Sequence, residues 1–205
     1  MASTASPYGL RPINRVDGMP YAGATQTFLI DPAGESTNIF YGQVVIIGAD
    51  GYLAISTATG ADITSNNLGG NGVGAIGVFV GCEYVNAQGQ VINAQYYPSG
   101  TTGVVTAKVI TDPSVAFQAQ LSGSGAQSVL GTNTFFTAVQ STSTGSTQTG
   151  NSTSSLSASV QAAAAAFRIV GFVEVAGFSA IGDAFTDVLV KFNPSAHSYS
   201  NNVGL

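Results

Sequence analysis

The chain has 205 residues, 44% of them apolar, enough for one domain, or one domain with arms, around a sizeable core. Only 7% are charged, against roughly 25% in an ordinary soluble domain, and the net charge is −5. These figures argue against nucleic-acid binding, which draws on clustered Lys and Arg, and against a basic membrane-surface helix. A mean hydropathy of +0.29 argues against disorder throughout.

Residues 1–25 read as an extended arm, because Pro7, Pro12 and Pro20 block helix and glycines lie between them. Arg11 and Arg15 are two of only five basic residues and mark this arm as a docking element. Residues 26–193 then read as one β domain. Thr27–Ile30 is a short apolar run stopped by Asp31-Pro32. Gln43–Ile47 and Tyr52–Thr57 flank Gly48-Ala49-Asp50-Gly51 and predict a hairpin. Strands are predicted at Ala75–Val85, Val91–Tyr97 and Thr102–Thr111. In Ser114–Leu121 the alternation puts Val115, Phe117, Ala119 and Leu121 on one face. Further strands are predicted at Thr134–Val139, Phe167–Val175 and Thr186–Phe192.

Pro113 to Phe167 holds no charged residue. Within it, residues 140–156 are almost wholly Ser, Thr, Gly, Gln and Asn and predict a surface loop. Ser157–Ala166 contains five consecutive alanines and predicts one short helix. Residues 194–205 read as an irregular, mobile C-terminal tail. The expected fold is therefore all-β: a β-sandwich or jelly-roll-like barrel with an extended N-terminal arm and at most one short helix near 157–166.

The chemistry-bearing motifs are sparse. Gly72-Val73-Gly74-Ala75-Ile76-Gly77 has the G-x-G-x-x-G spacing, but a strand follows where a phosphate-binding helix would be needed. His197, the single histidine, has neither a nucleophile nor an orienting acid assigned to it. Glu83 and Glu174 lie on predicted strands and form a glycosidase pair only if both face one cleft; otherwise they face solvent. Asp31, Glu35, Asp183 and Asp187 are a conceivable calcium set without a calcium-loop spacing. Cys82 sits in an apolar run and reads as a small buried hydrophobe that cannot form an intrachain disulfide. Asn151-Ser152-Thr153 matches a glycosylation sequon, but no basic-then-apolar leader marks Met1–Pro7. No run of 18 apolar residues predicts a membrane span. The expectation is a non-enzyme without catalytic, cofactor-binding or metal-binding residues.

The scarcity of charge has its own meaning. Burying a charge at an interface costs several kcal/mol, about that much per ion before compensation. Ser, Thr, Gly and Ala avoid that cost, so the composition favours a surface covered by a partner or by further copies of the chain.

Several blocks together resemble a family of small virion proteins of tailed bacteriophages, including marine and cyanobacterial phages. They are Ser6–Ile13 with its Tyr8-Gly9-Leu10-Arg11-Pro12, then Ile39–Val45, then Gly77–Val85 followed by Tyr96-Tyr97-Pro98. Ala107–Pro113 leads to Phe117–Gln120, and Phe167–Val173 and Val188–Asn193 complete the series. The long Ser/Thr stretch departs from the family pattern. The resemblance implies a capsid decoration or cement protein, a homotrimer on the outer capsid of a virion, made in the host cytoplasm. Its implied partners are the major capsid protein and itself, with no nucleic acid and no membrane. Tyr8, Leu10, Arg11 and Arg15 are then the expected capsid-docking residues. Another virion component, such as a head fibre base, tail or minor capsid protein, and a carbohydrate-binding β-domain remain alternatives.

Overall fold

The computed structural model describes residues 4–58, 73–141, 145–175 and 179–202. The fold is all-β, with two sheets packed as a sandwich. The larger sheet contains β2 (Gln26–Ile30), β3 (Val44–Ile47), β4 (Leu53–Ile55), β5 (Gly77–Val85), β6 (Val91–Ala94) and β7 (Val105–Ile110). The smaller contains β1 (Arg11–Arg15), β8 (Val115–Gln120), β9 (Asn133–Thr134), β10 (Phe167–Phe172) and β11 (Asp187–Phe192). Its order is β1-β8-β11-β10-β9, antiparallel throughout.

The larger sheet runs β3-β4-β2-β7-β5-β6, and β3 pairs again with β5. Five strands thus close into a ring, and β6 hangs from it, paired to β5 alone. Alternation along each strand fills the ring with Ile30, Val45, Leu53, Ile55, Phe79, Val105, Ala107 and Val109. A register shift between Phe79 and Gly81 lets both Phe79 and Cys82 point inward. The same strands turn Val44, Val78 and Ile110 the other way, onto the smaller sheet. There they meet Val115, Phe117, Ala119 and Leu121, the face expected from alternation, with Ile169, Val188 and Val190. Each large side chain so buried contributes about 1.5–3 kcal/mol.

The β3–β4 hairpin forms over the predicted turn, with Gly51 at φ +82° and its N–H donating to Gly48. The glycines of the G-x-G-x-x-G spacing that are described serve close packing. A Cβ on Gly77 would strike the Ile110 carbonyl, and one on Gly74 would meet Ala196 at 2.8 Å. Gly72 and the preceding turn residues lie outside the described residues.

Three expectations need correction. Ser157–Ala166 is not a helix. Its carbonyls are claimed by side chains of other elements: Asn133 Nδ2 donates to Ala163, and Asn193 Nδ2 to Ala165. Gln161 pairs its backbone with Asn133, and Ala165 and Ala166 are fully buried. A short alanine run has no helix stability of its own to set against such contacts.

Residues 140–156 are a surface loop only in part: Thr147, Gln148, Thr149 and Thr153 are exposed. Gln140, Ser152, Ser154 and Leu156 are buried, although 142–144 lie outside the described residues. A chain of polar bonds explains this. Gln43 accepts from the Phe40 N–H and donates to the Gln140 carbonyl; Gln140 Nε2 donates to Ser154 Oγ, which Ser152 Oγ also contacts. Buried polar groups are tolerated when bonded in this way.

The C-terminal stretch is irregular but not loose as far as Asn202. Ala196 and His197 are buried, Ala75 donates to the Ala196 carbonyl, and Ser198 donates back to Ala75. His197 packs edge-on to Phe192, ring centroids 5.2 Å apart.

Candidate interaction surface

The expected docking arm is part of the chain's own fold. Its Arg11–Arg15 stretch is β1, an edge strand paired to β8. Just before it, the arm crosses the turn after Phe40. Leu10 N donates to the Gly42 carbonyl at 2.9 Å, and Gly9 N donates to Ser154 at 3.1 Å. Gly9 and Gly42 have φ of +74° and +85°, and a Cβ on either would meet the other segment's backbone within 3 Å. Only glycine fits both places. The first two resemblance blocks therefore meet here, together with Ser152 and Ser154.

Leu10 is 0% exposed and belongs to the core between the sheets. Its assignment as a docking residue is corrected: a fully buried side chain cannot reach a neighbour. Arg11 is exposed, its guanidinium 4.8 Å above the Tyr8 ring. Tyr8 is half-buried, with its hydroxyl beside Asp187 and Gln118 but closing no hydrogen bond to either. Burial and then the Asp187 charge push its phenol up. Burial likewise pushes the Asp187 carboxyl up. Arg15 is held by Asp17 at 3.2 Å and Asp112 at 3.8 Å. Of the four expected residues, Arg11 is the one exposed, and Tyr8 and Arg15 are partly covered.

Sequence reasoning missed the exposed apolar side chains that follow Arg11 along the chain. Ile13, Val16 and Met19 are all exposed, Met19 by 60%. Ile13 is lifted out of register where β1 shifts between Pro12 and Asn14. Gly18 then turns the chain so that Arg15 N donates to the Met19 carbonyl. Prolines at 12 and 20 hid this edge strand from a pattern search.

The other candidate groups do not assemble. Glu83 is exposed on β5 of the larger sheet, and Glu174 is exposed just after β10 of the smaller. Asp31 and Glu35 follow β2, whereas Asp183 lies in the turn before β11 and Asp187 opens that strand. Asp31 Oδ1 accepts from Ala33 N and Asp183 Oδ2 from Ala180 N, so each shapes its own turn. No metal-ligating cluster occurs among the described residues. Cys82 is buried, its thiol pushed up to about 12 by burial, which keeps it protonated at neutral pH. No helix among the described residues is long and apolar enough to cross a membrane.

What the surface offers is contact. It carries exposed apolar residues and little charge, with two strand edges at the ends of the sheets' long rows, β1 and β6. Comparison with family models, curated proteins and solved structures finds no match.

Proposed function

We propose that the chain is a structural virion protein that decorates and cements the outer capsid of a tailed bacteriophage by bridging subunits of the major capsid protein. The observation that carries this reading is the exposed apolar group beside β1. Ile13, Val16 and Met19 are exposed on and just after the strand that Arg11 opens, in a molecule with few charged residues. Apolar side chains at a strand edge suit a contact that must hold without turnover, and Arg11 adds a donor for a carboxylate on the shell. The family resemblance supplies the partner. Its opening block, Tyr8 to Pro12, is the segment that leads into this edge.

The role needs rigidity, and the fold supplies reasons for it: the Gly9–Gly42 crossing ties the edge strand to both sheets. The test adds purified chain to shells lacking it. Bound copies near the number of major capsid subunits, and a higher shell disruption temperature, are the expected results. Met19→Ser with Arg11→Ala should weaken attachment while the circular dichroism melt stays unchanged. Wild-type attachment by this double variant would remove β1 from the contact. A copy number of a few per particle would give the protein to another part of the virion.

A further inference from the structure

We infer that the open edge of β6 is a site at which two copies of this chain pair strand to strand. This contact is separate from the β1 surface and does not depend on the capsid reading. It begins with the edges of the two sheets. Natural sheets guard their edges with proline, charge, bulges or shortness, because an unguarded edge adds a further strand. β1 has Pro12, Arg11, Arg15 and a register shift at Ile13. β9 is two residues long, and Asn133 exchanges both backbone bonds with Gln161. In the larger sheet β3 is paired on both sides, and β2 meets β4 only at Ile30–Leu53.

Among the described strands, β6 has one flank unpaired along its whole length, although Lys108 Nζ donates to Asn93 Oδ1 on its face. Its sequence is Val91-Ile92-Asn93-Ala94, with no charge and no proline. Asn86 N donates to the Gln90 carbonyl, which sets the phase of the ladder. Hydrogen-bonded pairs then alternate, so Tyr84–Ile92 and Cys82–Ala94 bond inward and Val91 and Asn93 turn their backbone groups outward. The strand is also open sideways. Val91 is 61% exposed and sits opposite exposed Val85, with Val104, 71% exposed, just before β7.

The occupant follows from charge and symmetry. An antiparallel partner must offer outward groups at the same two-residue spacing and no like charge opposite. A second β6 does so. A twofold axis at Ile92 sets Val91 against the other copy's Asn93, exchanging four backbone hydrogen bonds between uncharged residues. The paired Ile92 residues form a non-hydrogen-bonded pair, with Cα atoms about 4.5 Å apart, within disulfide reach.

That distance gives the test. Ile92→Cys, incubated with oxidised glutathione, should run as a disulfide-linked dimer on a non-reducing gel. Val104→Cys, at a more exposed position off the edge, should stay single. Cys82 stays protonated and takes no part. Adding Val91→Pro should abolish the cross-link, because its outward N–H is not used by β5. Val91→Lys, whose charge faces its own copy, should do the same and decides the matter if the proline variant unfolds. Sedimentation of the unmodified chain should show association that either Val91 variant removes. An Ile92→Cys chain that stays single, or a cross-link that survives Val91→Lys, would overturn the pairing. So would an edge that takes only shell protein: no self-association, but shell binding lost in Val91→Lys.

Discussion

The ring interior and the polar seam of Gln43, Gln140, Ser152 and Ser154 are both buried, by opposite means. The ring is closed by aliphatic and aromatic side chains that need no particular partner, only volume. The seam is closed by hydrogen bonds among Gln43, Gln140, Ser152 and Ser154, with Gln140 Oε1 alone of their polar atoms buried without a partner. Dispersion tolerates imprecise packing better than an unpaired amide tolerates loss of its bond. The ring should therefore respond to lost volume and the seam to lost partners.

The largest effect is expected inside the ring. Phe79→Ala removes a fully buried ring and should cost about 3–5 kcal/mol, read from the urea midpoint. Acid should act outside both regions, at His197, which packs on Phe192 and Tyr199. Burial holds this imidazole at about 4, well below its usual 6.5. Between those values the unfolded chain takes up a proton that the folded chain refuses. Stability should therefore fall as pH drops from about 6.5 to about 4 and level off below. The full loss is about 3 kcal/mol by linkage. His197→Gln should flatten that slope in a pH series of melts.

Gln43→Leu keeps volume but strands the Phe40 N–H and the Gln140 carbonyl. It should cost about 1–3 kcal/mol, whereas the same kind of exchange in the ring, Ile55→Leu, should cost under about 1.5. Equal losses at the two sites would break the contrast. The smallest effect belongs to Arg15→Ala. Its ion pairs are on a side chain 40% exposed, so the loss should be under about 1 kcal/mol and shrink in salt.

This contrast also decides what could be read from residues alone. The β8 face, the β3–β4 turn and the limits of β2 follow from alternation and turn residues, which act locally. The seam does not: whether Ser154 is buried depends on Gln140 and Gly9, which lie elsewhere in the chain. The alanine run shows the same failure from the other side. Local propensity favoured helix there, and Asn133 on β9 and Asn193 just after β11 took its carbonyls. At the candidate surface, Arg11 was legible because cations are rare in this chain. Leu10 was misplaced, because an arm that folds back onto its own core has the same sequence as one that reaches a neighbour.

The place where Gly9 passes Gly42 has a consequence in time. Leu10 can bond Gly42 early, but Gly9 must wait for Ser154, and Arg11 for Gln118. On the ribosome β1 therefore has no sheet to join until β8 has emerged. Its edge, with Met19 and Ile13 uncovered, exists as a shaped surface only on the completed molecule. Partners that read that shape meet finished protein and pass over nascent chains.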